Sequence, residues 1–593
     1  MKPARRWMTA CLLLPAGCSL GQDPRDIRHG SPIPDEGYCD QPYVIVTREG
    51  HWLCVLTTGK GEEGQGGQHV VSTISTNHGS SWSKLTDIEP ADGPDASWAT
   101  PLITPTGRVY VFYDYNGDRV GPQTLGGKKI NRFDMLGWYA FKYSDDGGRT
   151  WSRERHRLPV RLTHCDRTND WKGKVQILWG IDKPDTCGHS AFFAFTKLGA
   201  YLLDQGEGWL FRSDNILTEP DPNRIEWLML PEGEQGIRAP EFGSVQEEHN
   251  IVPLANGDLY CIYRTTTGRA VHTYSRDRGL TWSKPEIATY TPGGQPVKQP
   301  RACPRLFRAR NGNYLLWFHN HGGRDFLDRN PAWICGGIER EGHLLWSQPE
   351  ILLYDREPTT RISYPDLIEQ DGRYWITETQ KTTARVHEID PTLLHGVWNQ
   401  QNNRQVARKG LVLDLDLSAK NQTQVHIPPL PNLATGGGFT LDLTLKLNRI
   451  TPGQIILETK TRHGRGLTLV TGPDATVRIE MCDGHHSAAG ESDPGSLIPG
   501  KDHHLTAIVD GGPKIITFVV DGRLCDGGPT RRSGWSRFPP ELNNVNGTQT
   551  LRLATSLDGQ LSGLRVYDRY LRTSEAVANA LSFNTRAAGA DKH

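Results

Sequence analysis

The sequence predicts an all-β protein, a six-bladed β-propeller followed by a β-sandwich jelly roll, and three observations carry that prediction. Turn formers and tryptophan are abundant and methionine is scarce, with 64 glycines, 39 prolines, 17 tryptophans and 5 methionines in 593 residues. A tryptophan-ended turn recurs through the first part of the chain at blade spacing. The carboxyl-terminal part then alternates apolar and polar residues in strand-length runs. Lysine plus arginine and aspartate plus glutamate both number 67, so the basic excess of a nucleic-acid binder is missing, as is the charge of an acidic disordered chain. A hydrophobic fraction of 36% is enough for real cores at this length. Past the amino terminus no apolar run reaches the ~18 residues of a membrane span.

Taken in order, the chain opens with Arg5 and Arg6, an apolar stretch from Trp7 to Leu14, and then Pro15-Ala16-Gly17-Cys18. A basic start, a short apolar run and small residues make an export signal, expected over residues 1–18. Export would place the chain in the periplasm, at the cell surface or in the medium, where disulfides can form. Cys165 with Cys187, and Cys482 with Cys525, are candidate pairs. Cys54, Cys261 and Cys335 read as buried small hydrophobes.

Three segments share one turn: Ser75-Thr-Asn-His-Gly-Ser-Ser-Trp82, Ser144-Asp-Asp-Gly-Gly-Arg-Thr-Trp151 and Ser275-Arg-Asp-Arg-Gly-Leu-Thr-Trp282, each followed by serine. The Asp or Asn is suited to bond turn amides, the glycine to adopt a φ that a side chain would disfavour, and the tryptophan to cover the hairpin. Weaker copies end at Trp227 and Trp346. The five tryptophans are about 55 to 76 residues apart, a propeller-blade period. Strands Val109–Tyr113, Leu259–Tyr263, Tyr314–Phe318 and Arg373–Thr377 lie around them. A sixth blade is expected to join Ile362–Ile389 to the first strand, Tyr43–Thr47, which places the propeller over residues 38–395. The Asn/Gln-dense stretch from Asn399 to Arg404 marks a linker, expected over 396–409. Strands Phe439–Leu447, Lys514–Gly522 and Gly563–Leu571 then predict a two-sheet sandwich over 410–580. A disordered tail is expected over 587–593.

The repeated turn resembles the Asp-box, or BNR repeat, of the sialidase (neuraminidase) superfamily. The ending resembles concanavalin A-like (laminin-G-like) jelly rolls, which often bind glycans, although a purely structural role is as reasonable. The first cysteine motif resembles a bacterial lipoprotein signal, which implies lipid attachment at Cys18, with Pro15 where leucine is usual.

The sialidase resemblance implies a site. Members of that superfamily hold a substrate carboxylate with three arginines, a group suited to bidentate guanidinium forks. They use a tyrosine nucleophile activated by a glutamate, and an aspartate as acid/base. A neutral phenol suits an anomeric carbon that already bears a carboxylate. Arg361-Ile-Ser-Tyr364-Pro-Asp-Leu367 is similar to the nucleophile strand and puts Tyr364 in that role. Glu247-Glu248 followed by Arg264 is similar to the glutamate strand, with Glu248 as activator, Glu247 one register away, and Arg264 as an arginine of the triad. For the third arginine Arg329 fits best, with Arg301 and Arg324 as alternatives.

Two positions depart from the pattern. Asp40, in Tyr38-Cys-Asp40-Gln-Pro42, stands where the first arginine is expected. No aspartate lies in Lys60–His69, shortly before the first Asp-box, so Glu63, Glu62, His69 or Asp40 are the acid/base candidates. The glycines of Gly61–Gly67 suggest a mobile loop beside the pocket. Trp98, Tyr113, Asp114, Trp179 and Asp182 sit near predicted strand ends, where they would either face a sugar or pack. His319, His321 and Asp325 have no specific metal spacing and read as a polar wall, so no metal and no cofactor is expected.

The resulting expectation is an exo-acting glycoside hydrolase that removes a terminal acidic sugar, sialic acid or a relative, from a glycan or glycoconjugate, without a protein partner. The departures keep two alternatives open. One is a propeller lyase acting on uronate-containing glycans; the other is a glycan-binding protein without catalysis.

Overall fold

The computed structural model describes residues 23–290, 294–418 and 423–590; the export and lipid-attachment signals fall outside these residues. Six antiparallel sheets follow one another through the first part of the chain, each of four or five strands. The first pairs Tyr38–Val46, Trp52–Gly59, His69–Ser75 and Thr86–Asp87 in order from the axis outward. The next four blades begin on Ala96–Ile103, Leu178–Trp179, Gln246–Pro253 and Arg305–Arg308. The sixth runs Leu367–Gln370, Arg373–Thr379, Ala384–Ile389, and is completed by Ser31–Ile33 from the start of the chain.

That closure corrects the expectation that Tyr43–Thr47 completes the ring. Tyr38–Val46 is the inner strand of its own blade and is buried almost throughout. The strand that does close the ring has three residues and includes Pro32, too short to show a period.

The repeated turns have the predicted chemistry. Asn77, Asp146 and Asp277 each accept the amide four residues on, at 2.9, 2.9 and 2.8 Å. Ser75, Ser144 and Ser275 each accept the amide of the turn glycine, at 2.9, 2.8 and 2.7 Å. Those glycines, Gly79, Gly148 and Gly279, lie at φ of 75°, 88° and 96°, where a side chain is strained. Neighbouring blades are stitched near the axis by buried polar side chains. Asp182 accepts the amides of Ala194 and Ile251, Asn250 that of Leu306, and Asp366 that of Val44. Each bond satisfies a buried donor that would otherwise be costly.

The inner strands share one irregularity that sets up the site. In blades 1, 2 and 4 the ladder register shifts between Asp40 and Tyr43, Ser97 and Thr100, and Glu247 and Asn250. Within each shift one residue has a left-handed backbone: Gln41 (φ 49°), Trp98 (65°) and Glu248 (55°); Tyr364 (46°), just before the inner strand of blade 6, has the same conformation. Bulges of this kind re-aim side chains, here at the mouth of the axis.

Beyond the ring, a helix over Pro391–Trp398 starts on an Asp390 cap and anchors Trp398 Nε1 to the Tyr314 carbonyl at 2.8 Å. The first part of the expected linker is therefore packed, and Gln400 is buried against Gln348 and Ser574. Two sheets of a sandwich follow, one ordered around Phe439–Leu447 and Asp502–Asp510, the other around Ile455–Glu458 and Gly466–Thr471. A helix over Thr573–Ala590 ends the described chain. It takes in the first residues of the expected disordered tail, while 591–593 lie outside the description. No described helix is long and apolar enough to cross a membrane.

Propeller and sandwich share one hydrophobic core. Tyr260, Trp333 and Trp346 of blades 4 and 5 cluster with Ile508, Ile515, Val519 and Leu571 of the sandwich. All nine described cysteines are free thiols, which corrects the Cys165–Cys187 and Cys482–Cys525 expectation. Cys165 Sγ lies 3.3 Å from Thr163 Oγ1, and Cys525 Sγ accepts the Asp493 amide.

Candidate functional site

The axial mouth opens into a cavity of about 390 Å³. At its floor the Tyr364 hydroxyl donates to Glu248 Oε1 at 2.7 Å. Arg264 lies on the same carboxylate, with Nη1 at 2.7 Å from Glu248 Oε1 and Nε at 3.2 Å from Glu247 Oε1. Arg301 Nε donates to Glu247 Oε1 at 2.6 Å and Nη2 to the Leu203 carbonyl at 2.8 Å. The bulge at Glu247–Glu248 explains why two consecutive glutamates serve one cluster: alternation would otherwise put them on opposite faces. Arg329 is buried and donates from Nη1 to Ser363 Oγ at 2.8 Å, beside Tyr364. Arg324 is exposed and does not line the cavity.

On the opposite wall Glu63 accepts Arg132 Nη2 at 2.9 Å and lies 3.3 Å from Lys381 Nζ. Lys381 Nζ also reaches Asp40 Oδ2 at 2.5 Å and sits 4.3 Å from the centre of the Tyr364 ring. Asp40 is wholly buried behind Lys381 and accepts the Tyr38 hydroxyl at 3.1 Å. The Glu63 loop is tied down by Gln68 and by Gly67, whose amide donates to Asp95.

Electrostatics divide these groups. Burial and the neighbouring Glu248 carboxylate raise the Tyr364 hydroxyl well above the ordinary phenol range, against the pull of Arg264 and Arg329. Burial pushes Asp40 up to about 6, against the pull of Lys381. For Glu63, Lys381 and Arg132 outweigh burial and hold the carboxyl down at about 2. Among the cavity cations, Arg264, Arg301, Arg132 and Lys381 each pair with a carboxylate. Arg329 and Arg361 form no ion pair with a described residue, and the buried Arg329 Nε has no hydrogen-bond partner. Guanidinium groups left in this state are suited to an incoming anion.

The structure thus brings together Tyr364, Glu248, Glu247, Arg264, Arg301, Arg329 and Glu63. It leaves out His69, which is buried between the Glu89 carbonyl at 2.9 Å and Glu36 at 3.0 Å and does not line the cavity. Glu62 is exposed outside it. Trp98 and Trp179 line the cavity, but Tyr113 is spent on Glu89, Asp114 is buried elsewhere, and Asp182 belongs to the axial stitching. His319 and His321 bond backbone carbonyls of Pro331 and Asp328, and no group of metal-binding side chains occurs among the described residues. Sequence reasoning missed Lys381, Arg132 and Phe326, single residues in loops without a motif. It also passed over Arg361, although that residue opens the nucleophile segment.

Residues 231–376 match a BNR repeat-like domain, and residues 419–577 match the concanavalin A-like lectin/glucanases superfamily. No curated protein matches the chain. Among solved structures it is similar to Trypanosoma rangeli sialidase, at 13% identity over 93% of this chain and 94% of that one, with a TM-score of 0.42. It is similar to the Hadza microbial sialidase Hz136 at 16% identity over 60% and 68%, with a TM-score of 0.42. It is also similar to a Dyadobacter fermentans protein of unknown function, at 15% identity over 60% and 97%, with a TM-score of 0.44. The chain thus carries a BNR repeat-like domain over residues 231–376 and a concanavalin A-like domain over residues 419–577.

Proposed function

We propose that the protein is an exo-acting glycoside hydrolase that removes a terminal acidic monosaccharide from a glycan. The observation that carries this reading is the 2.7 Å hydrogen bond from Tyr364 to Glu248 inside a cavity where Arg329 and Arg361 carry no ion pair with a described residue. The carboxylate of the sugar docks on these two guanidinium groups. Arg264 and Arg301, neutralised by Glu247 and Glu248, hold the floor in place. The phenol attacks the anomeric carbon as Glu248 takes its proton and the glycosidic C–O bond breaks to release the aglycone. A water, losing its proton to Glu63, then cleaves the sugar–tyrosine bond, Glu248 returns the proton to the phenol oxygen, and the free acidic sugar leaves. Because the hydroxyl is raised and not lowered, the phenolate does not form unaided, and transfer to Glu248 accompanies attack. Glu63 faces the leaving group. Held ionised by Lys381 and Arg132, it is a weak proton donor in the free protein, so leaving groups of low basicity are the favoured substrates.

In the lyase alternative Tyr or His would remove a proton; the raised phenol argues against the tyrosine form, and no described histidine lines the cavity. The test is product analysis on fluorogenic sialosides and on uronate-containing glycans. Release of the free acidic sugar that is lost in Tyr364→Phe supports the reading. An unsaturated product absorbing in the near ultraviolet, or sugar binding without turnover, rejects it. Export and attachment at Cys18 belong to the same proposal, on the strength of the amino-terminal pattern alone. Lipid labelling that survives Cys18→Ala would remove the attachment.

A further inference from the structure

The sandwich domain touches the propeller at two places that matter to the cavity. Its loop between Cys525 and Arg537 is anchored at home by Asp493, which accepts the amides of Asp526 and Gly527, and by Arg531, which reaches the Glu491 and Ser492 carbonyls and Asp493. From that base it reaches across. The Arg532 carbonyl accepts the Gly322 amide at 2.7 Å, Arg532 Nη2 pairs with Asp328 at 2.6 Å, and Trp535 Nε1 donates to the Asn320 carbonyl at 3.0 Å. Arg537 donates to the Asn330 carbonyl. In the other direction, buried Lys298 of the propeller donates to the Gly528 and Arg531 carbonyls, both at 2.8 Å.

These contacts fall on two propeller segments, 298–301 and 320–330, and both lead to cavity groups. The first ends at Arg301. The second carries Arg329 and Phe326, whose ring lies 4.5 Å from the Arg301 guanidinium and 5.8 Å from that of Arg264. The loop has little apolar anchorage of its own: Arg324 and Asp325 are exposed, and Leu327 is 59% exposed. Within the propeller it is tied at its start by the bond from Tyr290 to Asn320, in its middle by His321 on the Asp328 carbonyl and Gly323 amide and by the Leu327 amide on Asp325, and at its end by Arg329 on Ser363 and Asn330 on Asp355 and Glu357. Gly323 lets the sandwich approach, since a Cβ there would meet Arg532 Nη2 at 2.6 Å.

We infer that the sandwich is a positioning element of the cavity: its 525–537 loop clamps the 320–330 loop and thereby seats Arg329 and Phe326 for an anionic ligand. Arg532, Trp535 and Arg537 are positioning residues. They do not line the cavity themselves and act through the loop they hold, Trp535 and Arg537 on its backbone carbonyls and Arg532 on the Asp328 carboxylate. This assigns the carboxyl-terminal domain a part in the site without requiring it to bind a glycan. The effect on ligand rests on the hydrolase reading above; the clamp itself does not.

The test uses the full chain with Trp535→Phe, which removes one donor and keeps the ring, and Arg532→Gln, which removes the ion pair, singly and together. Hydrogen exchange is followed by peptide, and KM and kcat are measured on a fluorogenic sialoside. In the double variant, exchange over 319–331 should rise by at least about tenfold while that over the blade 2 strand 109–115 stays unchanged, as expected for a local opening. KM should rise about fivefold to tenfold with kcat within about twofold, the scale of one or two lost hydrogen bonds acting on binding. Arg532→Lys should recover part of the loss, because the charge on Asp328 is again met. Unchanged exchange over 319–331, or a rise shared by every segment, overturns the clamp. A local rise with KM unmoved overturns its role in the site. If the unmodified protein turns over no acidic glycoside, the hydrolase reading fails, and exchange alone then decides the clamp.

Discussion

The two walls of the cavity are charged in different ways. On the wall built from blades 4, 5 and 6, arginines and glutamates alternate in contact: Tyr364 on Glu248, Arg264 across Glu247 and Glu248, Arg301 on Glu247. This is the wall that the family resemblance described. On the opposite wall, where the resemblance expects an arginine and an aspartate, a lysine from blade 6 lies between two carboxylates, Asp40 and Glu63. The arginine wall is preorganised by planar guanidinium groups, which keep their charge throughout the physiological pH range. The lysine wall relies on a point charge and on carboxylates whose proton affinities are pushed in opposite directions, so its state depends on pH and on ligand. Under the proposed hydrolase reading, bond-making falls to the first wall and leaving-group chemistry to the second.

The largest effect should come from the first wall. Tyr364→Phe or Glu248→Gln should lower kcat by about 10²–10⁴, the range for loss of proton transfer in a covalent step. Activity within tenfold of the parent in both would falsify the division of labour. Next is Lys381→Met, which strands Asp40 in a buried site and should cost about 3 kcal/mol of stability by chemical denaturation. The double change with Asp40→Asn should recover most of that loss. If it recovers none, the Asp40–Lys381 pair is not what Lys381 contributes.

A third prediction concerns pH. Asp40 is raised from 3.8 to about 6, so the folded chain holds a proton that the unfolded chain has released. That stabilisation is fully present below the ordinary carboxylate range and is lost as pH rises through about 6. Unfolding free energy measured from pH 4 to 7 should therefore fall by about 2–3 kcal/mol more in the parent than in Asp40→Asn. Parallel curves would mean that Asp40 is ionised throughout. A smaller effect, about tenfold in KM with kcat preserved, is expected for Arg361→Gln, the cost of one charge-assisted contact to substrate. The smallest belongs to His69→Gln: outside the cavity, it should leave kcat/KM within about twofold, and a greater loss would reopen His69 as a participant.

How far the site was legible follows the same division. Tyr364, Glu248 and Arg264 could be singled out because each lies in a run that resembles one of the family's, and the structure brings the three together. Glu248 was preferred to Glu247 on the resemblance alone, since the physical basis for choosing is the bulge, and a bulge is a pairing event with a distant strand. Lys381 occupies a hairpin between two strands of blade 6, in Gln-Lys-Thr-Thr, with nothing local to distinguish it from any surface lysine. Its partners Asp40 and Glu63 lie more than three hundred residues away.

By itself the sequence determined the all-β class, the repeated turn and the succession of propeller and sandwich, because these rest on interactions within a few residues: an aspartate or serine accepting amides of its own turn, and apolar alternation along one strand. Only the tertiary structure decided which strand closes the ring, that Lys381 stands between Asp40 and Glu63, and that the sandwich shares a core with the propeller. Each of these depends on groups far apart in the chain and brought together by the ring and by the shared core, and their pairing leaves no periodic trace in the order of residues.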